Sequence, residues 1–153
     1  MAVTINFFCQ LDARPMTAKE IAKQLEHITP TDDFAWLSSE LAKTWASSNV
    51  GIEAIEPILH FMERNPSIEY GMPGALVHFI ERFYGNGYED KLIEAINRKP
   101  TAHTILMLNR LINGTKDFNA KHFFIMTMKQ ARMNPLADKK TIESVNELLE
   151  GHL

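Results

Sequence analysis

The side chains best suited to chemistry lie in two matching segments of the chain. Residues 58–64 read Ile-Leu-His-Phe-Met-Glu-Arg, and residues 76–82 read Leu-Val-His-Phe-Ile-Glu-Arg, so one pattern occurs twice at an offset of 18 residues. A histidine three residues before a glutamate is able to act in acid–base catalysis or to help hold a metal ion. A hydrolase would use His78 and Glu81 together with His103 from a later segment.

Other features of the sequence weaken the catalytic and metal-binding interpretations. Six histidines are present, but there is no His-Glu-x-x-His motif, no glycine-rich phosphate loop and no serine or cysteine nucleophile motif. At about 100° per residue on a helix, His60, Glu63 and Arg64 lie opposite the apolar positions. This favours a polar face or a hydrogen bond between helices. We predict a protein that is not an enzyme and has no cofactor or metal.

This repeated seven-residue pattern, which we call the echo, has two interpretations. An offset of 18 is one helix plus one connection, so two successive helices would present equivalent faces, as in stacked helical arrays. A full helix-pair repeat needs about 33 to 47 residues, and a seven-residue match also arises by chance between amphipathic helices. The sequence leaves both interpretations open.

Residues 102–113 predict a helix that is buried on all sides, because apolar residues surround its circumference. Its polar residues are then drawn inward, and a buried Arg110 needs a carboxylate partner, for which Glu81 is the first candidate. Removal of Arg110 from such a buried pair would cost about 3 to 5 kcal/mol. The predicted structural network consists of His78, Glu81, His103, Asn109 and Arg110.

Charge is distributed unevenly along the chain. The net charge is −3, but residues 1–76 hold 10 acidic and 5 basic side chains, whereas residues 77–153 hold 9 acidic and 11 basic ones. An acidic region repels nucleic acid and attracts a basic protein, or it simply forms a solvated surface. Tyrosines beside acids either bind a basic surface or pin loops. The predicted partner-binding set is Asp32, Asp33, Glu40, Glu53, Glu56, Glu63, Glu69, Tyr70, Tyr88, Glu89 and Asp90.

The spacing of apolar residues predicts an all-α fold. Helical periodicity, N-capping residues and breaks at proline or glycine place helices at about 18–27, 32–46, 51–64, 73–84, 89–97, 102–113, 120–132 and 139–149. The apolar set of the second helix is Phe34, Trp36, Leu37, Leu41 and Trp45. Pro57 is expected to kink the third helix or to restart it at Glu56. We expect one domain over residues 1–153, an array of seven or eight helices.

The start of the chain is ambiguous. The stretch from Val3 to Leu11 fits a short strand or an apolar helical arm. The single cysteine, Cys9, excludes an internal disulfide, and its apolar neighbours favour a buried thiol. The first residues lack the basic start of a signal peptide, and no apolar run approaches the roughly 18 to 20 residues of a membrane span. We expect a cytoplasmic protein.

Three segments resemble a known group of proteins. They are residues 71–81 (Gly-Met-Pro-Gly-Ala-Leu-Val-His-Phe-Ile-Glu), 99–104 (Lys-Pro-Thr-Ala-His-Thr) and 107–110 (Met-Leu-Asn-Arg). Over residues 50–115 the chain is similar to small helical immunity proteins that accompany bacterial polymorphic toxins, including contact-dependent growth inhibition systems. The resemblance implies a cytoplasmic antidote that binds one cognate toxin domain, often a nuclease, and blocks its active site or substrate groove without performing chemistry.

The resemblance and the charge pattern together predict an immunity protein. A toxin that cleaves RNA has a basic substrate groove, and the acidic region at 31–70 is able to replace the phosphate backbone there. The expected partner is a basic toxin domain such as an RNase, with no direct contact with nucleic acid or a membrane. The alternative is a helical-repeat adaptor with another protein partner, which is distinguished by whether the neighbouring reading frame encodes a toxin.

Overall fold

The computed structural model describes residues 14–28 and 32–153, which form eight α-helices and no strand. The helices are Ala18–His27 (α1), Phe34–Ser47 (α2), Ile55–Arg64 (α3), Ala75–Glu81 (α4), Tyr88–Arg98 (α5), Ala102–Gly114 (α6), Phe118–Ala131 (α7) and Lys139–Glu150 (α8), with a 3₁₀ turn, Ile52–Ala54, before α3. The all-α prediction is confirmed. The predictions for Val3 to Leu11 and for Cys9 concern residues outside this part of the chain.

Local sequence signals set several helix ends. At the start of α1, Thr17 Oγ1 accepts a hydrogen bond from the Glu20 backbone N–H at 3.3 Å, and the Glu20 carboxylate accepts one from the Thr17 N–H at 2.8 Å. Asp117 and Asp138 cap α7 and α8 through their carboxylates. Pro57 lies in the first turn of α3, where a missing N–H leaves no hydrogen bond unmade. A restart was one of the two predicted alternatives, and the helix restarts at Ile55, one residue before the predicted Glu56.

The eight helices pack in two layers. One layer contains α1, α3, α5 and α7, and the other contains α2, α4, α6 and α8, with each helix contacting the next member of its own layer. Glu56 on α3 pairs with Lys91 on α5, and Glu63 pairs with Arg98, so the two helices run in the same direction. Helical-repeat arrays are built in this way. The packing supports the prediction of a stacked helical array.

The first echoed segment joins α3 to α5. His60 Nδ1 lies 3.7 Å from Glu63 Oε2, and the Glu63 carboxylate accepts hydrogen bonds from Arg98 Nε at 3.0 and 3.2 Å. Glu63 is 8% exposed, so of the two predicted alternatives, a polar face and a hydrogen bond between helices, the second applies to this residue. The seam between the two parallel helices covers this side of α3, and the paired arginine compensates the buried charge.

The second echoed segment joins α4 to α6 with the same three residue types. His78 Nδ1 lies 3.6 Å from Glu81 Oε2, and the Glu81 carboxylate accepts hydrogen bonds from Arg110 Nε at 2.7 Å and Nη2 at 2.9 Å. The predicted pairing of Glu81 with Arg110 is therefore confirmed. Each His-Glu-Arg cluster links a helix to the next helix of its own layer. The echo reflects one packing solution used in both layers.

One hydrophobic core extends from α1 to α8. Trp45 is fully buried in it and donates a hydrogen bond from Nε1 to Gln24 Oε1 at 2.7 Å. The assignment of Trp36 to this core is wrong, because its side chain is 64% exposed. On a helix Trp36 is rotated by about 200° from Phe34, which faces the core. Among the described helices, none is both long enough and apolar enough to cross a membrane.

The turn before α4 depends on a glycine. Gly74 has φ = +89°, and a Cβ atom at this position would lie 1.5 Å from the Tyr70 carbonyl oxygen. The Tyr70 hydroxyl donates a hydrogen bond to the Asn65 carbonyl oxygen at 2.8 Å, which closes the loop between α3 and α4. This contact places the buried Tyr70 ring against Phe34 and Phe61. Tyr70 therefore holds this loop against the core, which is the second of the two roles predicted for the tyrosines.

Candidate protein-binding surface

The pair formed by Glu81 and Arg110 lies at the surface. The Arg110 side chain is 39% exposed, although Leu108 and Leu111 on other sides of α6 are buried. Arg110 and Asn113 occupy one open side of α6, so the prediction of a helix buried on all sides is wrong. Hydrogen bonding to Glu81 raises the pKa of Arg110 above its usual value.

His103 is separate from this pair. Its Nε2–H group donates a hydrogen bond to the Pro66 carbonyl oxygen at 3.2 Å, and its ring packs edge-on against Tyr70. Burial lowers the pKa of His103. His103 lies seven residues before Arg110 on α6, which is about 10 Å along the helix. Since Glu81 lies beside Arg110, the three residues that a hydrolase would need, His78, Glu81 and His103, do not converge.

Asn109 makes a third contact, with the end of the chain. Its Oδ1 atom lies 2.6 Å from Nε2 of His152, which follows α8. The predicted polar network is therefore three separate contacts. Each of them joins two elements of the fold, because the polar residues leave α6 in different directions and meet different neighbours.

The predicted partner-binding residues are found in three places. One group is buried and presents no exposed side chain: Glu63, Tyr70 and Tyr88. A second group lies at the start of α2, along α2 and in the loop before α4: Asp32, Asp33, Glu40 and Glu69. A third group lies in the 3₁₀ turn before α3, on α3 and on α5: Glu53, Glu56, Glu89 and Asp90. The prediction that these side chains are accessible is wrong for the first group. Both tyrosine rings pack in the core, and Arg98 donates hydrogen bonds to Glu63.

The second group contains a feature that was not predicted. The exposed Trp36 lies three residues after Asp33 and four before Glu40, so the three side chains share one side of the helix start. Glu40 also pairs with Lys43 at 2.7 Å. Tryptophan is enriched among the residues that dominate protein interfaces. Its angular position relative to Phe34 is the signal in the sequence that would have revealed it.

The third group forms the strongest concentration of acid. Lys91 Nζ lies 3.2 Å from Glu56 Oε1 and 3.1 Å from Glu94 Oε2, so one lysine bridges acids on α3 and α5. Glu94 was not predicted, although it follows Asp90 by four residues and shares its side of α5. We call Glu56, Glu89, Asp90 and Glu94 the α5 acidic surface. It contains four carboxylates and one lysine, Lys91, which contacts Glu56 and Glu94, so the surface is negative.

An open cleft adjoins the α5 acidic surface. Its first part has a volume of about 620 Å³ and lies between the start of α5 and the loop that leads into α7. Its second part, of about 420 Å³, shares Tyr84 and Gly114 with the first and reaches the pair of Glu81 and Arg110. We call the two parts the α5 cleft. Its charged lining residues are Glu81, Glu89, Asp90, Asp117, Arg110 and Lys116.

Tyr88 lines the second part of the α5 cleft. Its side chain is 2% exposed, and within the described part of the chain its hydroxyl is the one buried side-chain polar atom that has no hydrogen-bond partner. Burial, with a smaller contribution from Glu81, raises the pKa of this hydroxyl well above its usual value. A buried polar group without a partner costs about 1–3 kcal/mol. A bound group that reached the hydroxyl would remove that cost.

Neither a metal-binding arrangement of side chains nor a similarity to known proteins assigns a function to these surfaces. No group of three histidine, cysteine, aspartate or glutamate residues within 14–28 and 32–153 is arranged to hold a metal ion. No protein-family model, no curated protein and no solved structure matches the chain. The resemblance of residues 50–115 to immunity proteins therefore stays a prediction, and the function is inferred from the surface of the molecule.

Proposed function

We propose that this protein is an immunity protein that binds a basic bacterial toxin domain, such as a nuclease, and covers its active site or substrate groove. The observation that carries the proposal is the α5 acidic surface together with the open cleft beside it. Glu56 and Glu94, on two parallel helices, meet there at a single lysine, and Glu89 and Asp90 add two more carboxylates from the first turn of α5. This arrangement favours a cationic partner over a nucleic acid.

Three of the four carboxylates of this surface are held in place before any partner binds. Lys91 fixes Glu56 and Glu94, and the Glu89 carboxylate accepts a hydrogen bond from the Gly85 N–H at 2.8 Å. Side chains that are already ordered lose less conformational entropy on association. A nuclease groove that binds phosphates with lysine and arginine would accept such a row of fixed negative charges, and RNA would then be excluded from it.

Co-expression tests the function directly. The chain is produced together with the toxin-like reading frame beside its gene, and growth and co-purification at moderate salt are measured. Rescue of growth with a stable complex is expected. No rescue by well-folded protein, or the absence of any toxin-like reading frame beside the gene, would contradict the proposal.

Charge reversal tests the surface. Glu56→Lys, Asp90→Lys and Glu94→Lys together should slow association by about 10- to 100-fold at low salt, because steering by opposite charges is lost. The control combines Glu26→Lys, Glu147→Lys and Glu150→Lys, three exposed positions outside the surface with the same change of charge. Equal association rates for the two triple variants, measured by stopped-flow mixing or surface plasmon resonance, would reject the α5 acidic surface as the contact.

A helical-repeat adaptor is the second candidate. The two-layer packing of α1 to α8 favours it, because such arrays present extended binding surfaces. The exposed Trp36 with its acidic neighbours would be a suitable anchor for its partner. Failure of rescue, combined with loss of a pulled-down cellular partner in a Trp36→Ala variant, would favour the adaptor.

A further inference from the structure

We propose that the α5 cleft receives a basic side chain of the bound protein, and an arginine in preference to a lysine. The inference rests on the proposed function for the identity of the bound protein. The preference of the cleft for an arginine does not depend on that identity. It rests on the charge of the cleft, on the hydroxyl of Tyr88 and on the exposed ring of Tyr84.

The charge of the cleft favours a cation. Four acids line it against two basic residues, and Arg110 is already engaged by Glu81 through two hydrogen bonds. One of the four acids, Asp117, also accepts a hydrogen bond from the Ala120 N–H at 2.7 Å. A bound carboxylate would therefore meet an excess of like charge, whereas a guanidinium would meet acceptors.

The unpaired acceptors favour a group with several donors. Each oxygen of Glu81 accepts one hydrogen bond from Arg110 and retains a second lone pair, and the Tyr88 hydroxyl has no partner. A guanidinium carries five N–H donors and is able to serve both residues. The hydroxyl is covered in the present arrangement, but Tyr84 and Arg110, which line the same part of the cleft, are partly exposed. Access to the hydroxyl therefore requires a side chain that lines the cleft to change rotamer, which exposed side chains do within nanoseconds.

The aromatic wall of the cleft favours arginine over lysine. Tyr84 lines both parts of the cleft, and its side chain is 53% exposed. A planar guanidinium stacks on a tyrosine face while its edge donates hydrogen bonds, and an ammonium group makes only a point contact.

Titration of the full chain with small molecules tests the chemistry of the cleft without any toxin. The probes are N-acetyl-arginine amide, N-acetyl-lysine amide, the neutral N-acetyl-glutamine amide, and acetate, each followed by NMR. The arginine probe should give saturable shifts of the Tyr88 and Gly114 signals with a millimolar Kd, the lysine probe should bind more weakly, and the other two should not saturate. Saturation by acetate, or equal binding of the arginine and glutamine probes, would overturn the proposal.

A pair of tyrosine variants separates the hydroxyl from the fold. Tyr88→Phe should retain the fold, because the hydroxyl has no partner to lose, and should weaken binding of the arginine probe about fivefold. Tyr70→Phe is the control, since it loses a real hydrogen bond to Asn65 far from the cleft and should leave probe binding unchanged. Unchanged binding in folded Tyr88→Phe would overturn the role of the hydroxyl. Arginine binding without rescue of growth would reject the immunity function and leave the cleft chemistry standing.

Discussion

At the scale of single residues, the two His-Glu-Arg clusters have the same side-chain types but differ in their exposure to solvent. Glu63 and Glu81 each accept hydrogen bonds from an arginine on the next helix of their layer, but the Glu63 side chain is 10% exposed and the Glu81 side chain is 22% exposed. The pairing of Glu81 with Arg110 could be predicted, because a charged residue on an apolar helix needs a partner. Its exposure could not, since α6 leaves one side open only once its neighbours are packed.

Removing each arginine should show this difference. We expect Arg110→Ala to lower the free energy of unfolding by about 0.5–1 kcal/mol, as for exposed ion pairs. Arg98→Ala should lower it by about 1.5–3 kcal/mol, because it leaves the buried Glu63 carboxylate without its charged partner. Urea denaturation of both variants measures the two losses. Equal losses, or a loss of 3 to 5 kcal/mol for Arg110→Ala as for a fully buried pair, would contradict the exposure of Arg110.

At the scale of elements, helix ends were predictable and helix faces were less so. Thr17, Asp117 and Asp138 cap helices by accepting hydrogen bonds from backbone N–H groups three positions later. The signal is therefore local, and the predicted ends lie within a few residues of the observed ones. Which side of a helix is covered depends on its neighbours in space. The sequence therefore predicted a buried Trp36 and an accessible Glu63, whereas Trp36 is exposed and Glu63 is buried.

The turn before α4 offers a second test of local structure. Gly74→Ala should be far more destabilising than Gly85→Ala, although both glycines have positive φ. An alanine at Gly85 has no atom within 4 Å of its Cβ and should cost about 1–2 kcal/mol from the left-handed backbone alone. At Gly74 the same Cβ would overlap the Tyr70 carbonyl oxygen, so the turn must rearrange. Thermal unfolding of both variants measures the effect, and similar midpoints would contradict the overlap.

At the scale of the whole molecule, the layers decide which charges meet. Glu56 and Glu94 are 38 positions apart in the sequence, and Lys91 bridges them only because α3 and α5 lie side by side. The acidic character of the first half of the chain was therefore visible beforehand, whereas the α5 acidic surface was not. It combines acids from both halves, including Glu94 from the half with a net positive charge.

The layers also predict where the molecule is most rigid. Because α6 packs against α3, α5, α7 and α8, its amides should exchange with solvent most slowly. Those of α2, which lies at the end of its layer, should exchange several-fold faster. Hydrogen-exchange mass spectrometry compares the two helices in one experiment. Faster exchange in α6 than in α2 would be incompatible with a central position for α6.

The pairing of each helix with the second helix after it bears on how the chain assembles during its synthesis. Contacts such as those of Glu56 with Lys91 and Glu63 with Arg98 close loops of 35 residues, so the loop-closure entropy of each step is modest. At about 5–20 residues per second, a ribosome makes that length within several seconds. We therefore expect each helix of the described part to meet its neighbour soon after both have emerged, so that folding begins before the last helices are made.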